Sequence, residues 1–456
     1  MTTGSRGAKW LGAAVAALVV APQMWAPPAA ALSRAGDALA HRAGTARAAG
    51  PVPPQAAAAA GRTFYVDSAK GSDAAAGTSP ATAWRSLDKA NEVDLKPGDR
   101  LLFKRGGSWK GTLTISARGT ANRRITIGAY GTGPRPKISG RDGDCVIVTG
   151  SYIRVTDLRA SDCQWAGFQL RGDRNELVDV YADRNIAGVL VASTSSHNVI
   201  RDSAMIGNNR MSVNDEEEDN DSGAFGILLN GDDNLVTGNL ITGSFAKSRD
   251  YVFDGAAVEV YNGDRNTISF NVSRDNETFT ELGHEPGRTA TGNLFVGNVV
   301  TSAKRRGSFL ITRGPRNDAL GPVWGTVAVH NSVYLTARDT IGVSCYDGCS
   351  PKVLKLRNNV IKVGGVTGDE DGSGIDDGGG VYWGRVHRFK LGPRSVRADP
   401  RFRSRTDLRL RPGSPALGRG LRLGPSWYGG PSLVRDISGA KLSRSPNPDA
   451  GAFQQR

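Results

Sequence analysis

Two glutamates lie in short segments whose alternation of apolar and polar residues predicts β-strands. Glu259 stands in Ala-Val-Glu-Val-Tyr, residues 257–261, and Glu281 stands in Phe-Thr-Glu-Leu-Gly, residues 279–283. The two glutamates are 22 residues apart. If one turn of a repeating fold takes that many residues, the two carboxyl groups lie on neighbouring parallel strands, about 4.8 Å apart.

Two carboxyl groups at this separation suit the hydrolysis of a glycosidic bond with retention of configuration, which uses carboxyl groups about 5–5.5 Å apart. Their mutual repulsion raises one pKa and leaves an acid beside an ionised nucleophile. We therefore predict Glu259 and Glu281 as the catalytic pair, with the two roles unassigned and no cofactor required. The alternative is that both are solvated carboxylates on a polar face.

Four residues near the pair in sequence are candidates for contacts with the substrate: Tyr261, Asp275, an exposed His284, and Arg313. Arg313 also supports a rival reaction, in which Arg or Lys removes the proton α to a uronate carboxyl whose charge Ca²⁺ or another cation neutralises. Arg313 follows the basic run Lys304-Arg305-Arg306, but no lysine accompanies Glu259 on its strand. The lyase pattern is thus incomplete, and whether a metal is involved stays open.

Other acids near the pair have weaker support. Asp254, Asp275 and Glu277 are alternative acids, but turns use aspartate routinely. Asp275 aligns with Asp162 and Asp183 in similar turn contexts. An aspartate in such a turn is more often structural, and Asp275 is also a candidate for contact with the substrate.

The unit Gly-Asp-x-Asn recurs in the middle of the chain before short β-branched strands, which is typical of a solenoid. The aligned asparagines are Asn175, Asn198, Asn234, Asn266 and Asn293. Their spacings are 23, 36, 32 and 27 residues, so the shortest is near one coil and the longer ones carry insertions. A second series is Asn239, Asn271 and Asn298, with Asn331 and Asn359 in similar contexts. Both series predict stacked asparagine ladders at turns.

Alignment on these asparagines creates one conflict, at Glu259. Strict spacing places Glu259 level with Ile227 and Phe168, which have the character of core residues. Burying an unpaired glutamate costs several kcal/mol. We therefore predict that this strand is shifted by one residue, with Val258 and Val260 inside and Glu259 outside.

Segments near both ends of the chain resemble secreted right-handed parallel β-helix proteins related to polysaccharide lyases and glycoside hydrolases. The N-terminal segments include Tyr65-Val66-Asp67, Gly71-Ser72-Asp73, Trp84-Arg85-Ser86-Leu87, Pro97-Gly98-Asp99 and Ile127-Gly128-Ala129-Tyr130-Gly131. The C-terminal segments include Ala398-Asp399-Pro400-Arg401-Phe402, Pro412-Gly413-Ser414-Pro415-Ala416 and Gly451-Ala452-Phe453. Because these motifs are structural, they say little about the reaction.

The resemblance covers nearly all of residues 62–456 and implies an all-β, single-stranded right-handed parallel β-helix. Residues 62–140 would form an N-terminal cap with a short helix and the first coils. Residues 141–400 would form the β-helix, and residues 401–456 a closing segment. Helical spacing in the cap runs from Trp84 to Val93.

The N-terminus predicts export. Basic residues, a short apolar stretch and small residues indicate a signal peptide over residues 1–31, followed by a disordered Ala/Pro-rich linker over residues 32–61. The four cysteines of an exported chain are expected to pair, and the pairs suggested by position are Cys145 with Cys163 and Cys345 with Cys349. The protein is therefore expected to be secreted and not membrane-bound after signal removal.

The net charge of +14 suits an acidic glycan or cell-wall partner, although a general bias toward arginine also explains it. No basic stripe with interleaved aromatic residues appears, which argues against nucleic acid.

Residues 215–221 and 369–377 are acidic loops that suit either Ca²⁺ or solvent. Candidates for stacking on sugar rings are Trp165, Trp324, Tyr382 and Trp383. The sequence thus predicts a monomeric secreted glycoside hydrolase, with a lyase or a non-catalytic glycan-binding solenoid as alternatives.

Overall fold

The computed structural model describes residues 61–140, 142–217, 219–442 and 447–455. The predicted signal peptide and residues 32–60 of the predicted linker lie outside these ranges. Within them, no helix has the length and apolar character needed to cross a membrane.

The described chain is built almost entirely of short strands. The helices are α1 (Leu87–Asn91) and three short 3₁₀ helices at Pro80–Thr82, Pro425–Tyr428 and Pro431–Leu433. The strands of the first half are β1 (Thr63–Val66), β2 (Arg100–Lys104), β3 (Ser108–Lys110), β4 (Leu113–Ile115), β5 (Ile125–Tyr130), β6 (Lys137–Ser139), β7 (Val146–Val148), β8 (Ile153–Thr156), β9 (Arg159–Ser161), β10 (Ala166–Leu170), β11 (Glu176–Val178), β12 (Tyr181–Asp183), β13 (Ala187–Val191), β14 (Val199–Arg201), β15 (Ala204–Ile206), β16 (Met211–Val213), β17 (Ser222–Gly223), β18 (Phe225–Leu229), β19 (Leu235–Thr237) and β20 (Leu240–Thr242). The remaining strands are β21 (Ala246–Ser248), β22 (Val252–Asp254), β23 (Ala256–Tyr261), β24 (Thr267–Ser269), β25 (Val272–Arg274), β26 (Thr278–Gly283), β27 (Leu294–Val296), β28 (Val299–Ser302), β29 (Arg306–Arg313), β30 (Thr326–Val329), β31 (Ser332–Leu335), β32 (Asp339–Tyr346), β33 (Leu354–Arg357), β34 (Val360–Val363), β35 (Val366–Glu370), β36 (Asp376–Gly378), β37 (Val381–Trp383), β38 (Val386–Arg388) and β39 (Val396–Arg397).

Three long parallel sheets run side by side along the molecule. Sheet A has the order β1-β2-β5-β8-β11-β14-β19-β24-β27-β30-β33-β36. Sheet B has the order β3-β6-β9-β12-β15-β20-β25-β28-β31-β34-β37-β39. Sheet C has the order β4-β7-β10-β13-β18-β23-β26-β29-β32-β35-β38. Through the central coils the chain visits the three sheets in turn and then moves up one strand spacing, which confirms the predicted right-handed parallel β-helix.

The inward side chains of successive strands form one continuous apolar core, and asparagine ladders line its corners. In the first ladder the backbone N–H of Asn234 donates to Oδ1 of Asn266 at 2.9 Å, and Asn266 donates in the same way to Asn293 at 2.9 Å. In the second ladder Asn298 and Asn331 donate to the next asparagine, the last being Asn359, at 2.9 Å each. Both predicted ladders are therefore present.

The N-terminal segment packs against the first coils and contains a shorter helix than its spacing predicts. The helix begins only at Leu87, because Ser86 caps it by accepting a hydrogen bond from the N–H of Lys89 at 3.1 Å. Trp84 instead pairs with Val66 as a β-bridge. The predicted strand at the start of the cap, β1, is present.

The C-terminal segment folds back along the outside of the coils. One part packs Phe402, Leu408 and Leu410 against outward valines of sheet B, and another packs Tyr428 near the corner between sheets A and B. The N–H of Leu421 donates to Oδ1 of Asn358 at 2.7 Å, which ties this segment to the turn beneath it.

Both predicted disulfides are formed, Cys145–Cys163 and Cys345–Cys349. Stable disulfides are typical of proteins in oxidising compartments. The pairing therefore agrees with the expected export of the chain.

Candidate active site

Glu259 and Glu281 are direct register partners on β23 and β26 of sheet C. Their flanking residues Val258, Val260 and Leu282 are fully buried in the core. Because side chains alternate along a strand, both glutamates point to the outer face of the sheet. The predicted stacking of these two carboxyl groups is confirmed at the level of strand register.

The predicted one-residue shift at Glu259 is also present. Glu259 pairs with Leu228, while its neighbour Val258 pairs with the core residue Ile227. The coil accommodates one extra residue before its asparagine, and Asn262 turns the chain there with a φ of 67°. Asparagine tolerates this left-handed conformation better than most residues.

Two insertions cover the outer face around the glutamates. Strands β21 and β22 form an antiparallel hairpin just before β23. On the opposite side, Leu320 from the loop after β29 packs with Tyr261 and Leu228 over the sheet. The glutamates therefore lie at the floor of a recess between a hairpin and a loop.

The recess opens toward the C-terminal coils. The residues at the position equivalent to Glu281 on the next three strands of sheet C are Ile311, Ser344 and Asp369. Leu228 and Glu259 are buried, whereas the positions from Glu281 onward are all partly exposed. A long substrate would therefore reach the pair from the side of the later coils.

Arg313 binds Glu281 from the next strand. Its guanidinium forms an ion pair with Glu281 and donates to the backbone oxygen of Leu282 at 2.6 Å. It also lies over the ring of Tyr346, 5.5 Å from the ring centroid. A Cβ added at Gly283 would lie 3.2 Å from Nη1 of Arg313, so this glycine leaves room for the guanidinium to reach Glu281.

Glu259 has a pKa raised well above its usual range. Burial is the main cause, and the charges of Glu281 and Asp254 add to it, while Arg313 acts in the opposite direction. Burial and the neighbouring carboxylates therefore favour the protonated form of Glu259. The arrangement places a carboxyl group whose protonated form is favoured beside a carboxyl group that is ion-paired to arginine.

Two further carboxyl groups, which the sequence offered only as alternative acids, belong to the same cluster. Burial and the charges of Glu277 and Glu281 raise the pKa of Asp254 well above its usual range. Burial also raises the pKa of Glu277 to about 7, although Thr278 and Arg306 partly offset it. Thr278 donates to Glu277 at 2.5 Å. The site is therefore a cluster of four carboxyl groups rather than an isolated pair.

Tyr251, in the turn between β21 and β22, was not anticipated from the sequence. Its hydroxyl is buried and has no hydrogen-bond partner within the described ranges. Burial raises its pKa, and the charges of Asp219, Asp250, Asp254 and Glu281 act in the same direction. The only signal was the long insertion before Gly255, which gave no indication of where Tyr251 would lie.

The remaining predicted contacts have different environments. Tyr261 is buried at the C-terminal end of β23. Asp275 lies in the turn after β25 with a φ of 52°, where its carboxylate accepts from the N–H of Ala303 at 2.8 Å. The residues at the position equivalent to Asp275 on earlier coils include Asp162 and Arg184. The predicted alignment with Asp162 is therefore correct, whereas Asp183 lies one residue before Arg184 and does not align.

The expectation that His284 is exposed is wrong. The side chain is 6% exposed, with Nδ1 3.0 Å from the backbone oxygen of Glu285 and Nε2 3.2 Å from that of Pro322. The loop after β29 folds over this residue, and that path could not be read from sequence spacing. Both ring nitrogens therefore face backbone carbonyl groups of the surrounding loops.

Among the aromatic candidates, Tyr382 is fully buried and donates to Asp377 at 2.6 Å, so its proposed stacking on a sugar is wrong. Trp383, by contrast, is 42% exposed.

In the part of the chain that is described, no group of three His, Cys, Asp or Glu side chains is arranged to hold a metal ion.

Comparison with known proteins gives a short sequence match and broader structural matches. No family model matches the chain. A stretch of 75 residues is 47% identical to a lacto-N-biosidase of Bifidobacterium longum subsp. longum, but it covers 16% of this chain and 5% of that protein.

Among solved structures, the pectate lyase Pel9A aligns over 87% of this chain and 97% of its own, with a TM-score of 0.57 and 15% identity. A GH136 lacto-N-biosidase from Eubacterium ramulus aligns over 74% of this chain and 67% of its own, with a TM-score of 0.49 and 17% identity. At these identities the likeness concerns the fold. The chain is a right-handed parallel β-helix, with the fold of a known pectate lyase.

Proposed function

We propose that this protein is a secreted carbohydrate-active enzyme, a retaining glycoside hydrolase that acts on a polysaccharide in the recess of sheet C. The observation that carries the proposal is the direct register pairing of Glu259 and Glu281 on the outer face. Register partners on neighbouring strands lie about 4.8 Å apart, close to the carboxyl separation of retaining glycosidases. The short match to a lacto-N-biosidase agrees with this class of reaction.

The environments of the two glutamates support one assignment of their roles. Glu259, with its raised pKa, donates its proton to the glycosidic oxygen as the bond to the leaving group breaks. Glu281, ion-paired to Arg313, attacks the anomeric carbon and forms a glycosyl ester. Water then breaks this ester, transferring its proton to Glu259, so that both groups return to their starting forms.

The lyase alternative has less support from the geometry. A lyase base must accept a proton, whereas Arg313 donates hydrogen bonds to Glu281 and to the oxygen of Leu282. Neighbouring tyrosine and glutamate groups raise the pKa of Arg313 further, against the effect of burial. Arg313 therefore retains its proton and serves better as the partner of Glu281.

The test is an assay of the purified protein on an aryl lacto-N-bioside and on neutral and acidic polysaccharides. Hydrolysis gives new reducing ends without unsaturated, ultraviolet-absorbing products, and the first sugar released keeps its anomeric configuration in NMR spectra. Glu259→Gln and Glu281→Gln are each expected to lower kcat by about 10²–10⁴-fold. Because the mechanism uses protein carboxyl groups and water, we expect a chelator to leave the rate unchanged.

Glu92→Gln is the matched control, since Glu92 is an exposed residue of the cap that pairs with Lys89. It should retain full activity. Unsaturated products, an inverted anomer or full activity of both site variants would contradict the proposal. Retention on a glycan without turnover would favour the non-catalytic alternative.

A further inference from the structure

A second feature of the surface lies on sheet B, away from the carboxyl cluster. Tyr334 on β31, Lys362 on β34 and Trp383 on β37 are consecutive register partners. The residues before them, Val333, Ile361 and Tyr382, are fully buried. Tyr334, Lys362 and Trp383 therefore form one outward column with two aromatic rings and an amine.

Two adjoining clefts flank this column and share Tyr334 and Lys362. One has a volume of about 340 Å³ and extends to Trp383 and Arg385. The other has a volume of about 460 Å³ and is bounded by the segment after β39, which contributes the side chains of Asp399, Arg401, Phe402, Arg403, Arg405 and Arg411. Each cleft is large enough to hold part of a sugar chain.

The charge of the clefts is strongly positive. The one acidic residue of their linings, Asp399, is bound to Nζ of Lys362 at 2.9 Å, and the same Nζ lies 5.1 Å from the ring centroid of Tyr334. Five arginines remain around this pair, all exposed: Arg385, Arg401, Arg403, Arg405 and Arg411. None of the five forms an ion pair in the part of the chain that is described.

Trp383 supplies an apolar platform beside this charge. It is one of three large hydrophobic side chains that are exposed within the described ranges. An exposed tryptophan face suits the apolar face of a sugar ring, and guanidinium groups bind carboxylate and sulfate in a forked geometry. The two disulfides agree with an exported protein, which would meet extracellular glycans.

We propose that this surface of sheet B is a binding site for an acidic glycan, with a sugar ring on Trp383 and its carboxylate or sulfate groups on the surrounding arginines. The site is distinct from Glu259 and Glu281, which lie on sheet C, and does not depend on hydrolysis. It holds the protein on a charged polysaccharide through side chains that the catalytic recess does not use.

The test is affinity electrophoresis through gels containing polygalacturonate, alginate or chondroitin sulfate, with hydroxyethyl cellulose as the neutral polymer. The native protein should be retarded by at least one acidic polymer and not by the neutral one. We expect Trp383→Ala and the double variant Arg403→Ser/Arg405→Ser each to weaken this binding about tenfold, equivalent to about 1.4 kcal/mol. Added salt should weaken it further, since exposed charges are screened.

The matched control is Arg100→Ser/Lys110→Ser, which removes the same charge from exposed positions in the first coils. Binding weakened equally in this control would show a general charge effect and overturn the proposal. Absence of retardation by every acidic polymer, or equal retardation by hydroxyethyl cellulose, would also overturn it. So would equally tight binding of single-stranded DNA.

The Glu281→Gln variant separates this site from the proposed hydrolysis. It should be retarded as strongly as the native protein while losing turnover. Circular dichroism of the two surface variants checks that each retains the β-helix, and because they alter different parts of the surface, native binding by both would overturn the proposal.

Discussion

At the scale of single residues, the recess contains more carboxyl groups than guanidinium groups that could neutralise them. Glu259, Glu277 and Asp254 all have raised pKa values, with burial as the main cause in each case. Arg313 and Arg306 supply the nearby positive charge, paired with Glu281 and Glu277. An excess of buried carboxyl groups over guanidinium groups favours protonation, which general acid catalysis needs.

Glu277→Gln should make the stability of the protein less dependent on pH. The pKa of Glu277 is raised from 4.5 to about 7, so its contribution is fully present below pH 4.5 and lost as the pH rises through 7. At pH 8 the loss is on the order of 3 kcal/mol. The melting temperature of the variant should match the native protein at pH 4 and exceed it at pH 8.

Glu92→Gln serves again as the control, with the same chemical change at an exposed site. Its melting temperature should follow that of the native protein across the pH range. If the melting temperatures of the native protein and of Glu277→Gln changed with pH in the same way, Glu277 would not be the cause of this pH dependence.

At the scale of elements, the hairpin formed by β21 and β22 brings Tyr251 and Asp254 to the site. The end of the first acidic loop holds it in place: Asp221 accepts from Oγ of Ser248 at 2.7 Å and from the N–H groups of Arg249 and Asp250 at 2.6 and 3.1 Å. In return Asp250 accepts from the N–H of Asp221 at 2.9 Å. Part of this acidic loop is therefore an anchor for the hairpin rather than a solvated segment.

Asp221→Ala should loosen the hairpin and lower activity while leaving the coils folded. Three donors lose their common acceptor, and displacement of groups at an active site by about 1 Å can cost about a hundredfold in rate. We expect faster amide hydrogen exchange at residues 246–254 and a fall in kcat/KM of about tenfold or more. Asp215→Ala, in the same loop, is the control because its carboxylate, within the described ranges, accepts hydrogen bonds only from Glu217 and Asn220.

Unchanged exchange of the hairpin in Asp221→Ala would show that these hydrogen bonds do not hold it. Unchanged activity despite faster exchange would show that the hairpin does not position the site.

At the scale of the whole molecule, the stability of each coil depends mainly on the coils beside it, because each coil contacts mainly its neighbours. The asparagine ladders cross these boundaries inside the core. Asn271, for example, donates to the oxygen of Val236 at 3.0 Å and to Oδ1 of Asn298 at 3.1 Å, and accepts from the N–H of Asn239 at 3.0 Å. A ladder residue therefore connects three successive coils.

Asn271→Ala should destabilise the middle of the β-helix by several kcal/mol, since each buried group left without a partner costs about 1–3 kcal/mol. In urea the midpoint should fall, and the transition should broaden as the coils on either side unfold separately. Asn230→Ala is the control, because the Oδ1 of Asn230 accepts no hydrogen bond within the described ranges. Equal midpoints for the two variants would contradict a stabilising ladder.

Much of this architecture could be predicted from the sequence because its determinants are local. Turn asparagines and strands with a period of two indicated a solenoid with asparagine ladders, and the resemblance of the end segments implied that it is a right-handed parallel β-helix. The positions of the four cysteines indicated the two disulfides. The same local rules predicted that Glu259 faces outward and that Glu281 is its neighbour. The spacing that made Glu259 ambiguous arose from one extra residue, and the cost of burying a glutamate in the core gave the correct strand register. Glu259 is nevertheless buried on the outer face of the sheet.

The sequence by itself therefore determined the fold and the stacking of Glu259 on Glu281, because both follow from periodic local structure. Only the tertiary structure decided what surrounds them. The paths of insertions, which no periodicity constrains, buried His284 and brought Tyr251 to the cluster. Likewise, Tyr334, Lys362 and Trp383 are far apart in the chain, and only winding into successive coils placed them in one column.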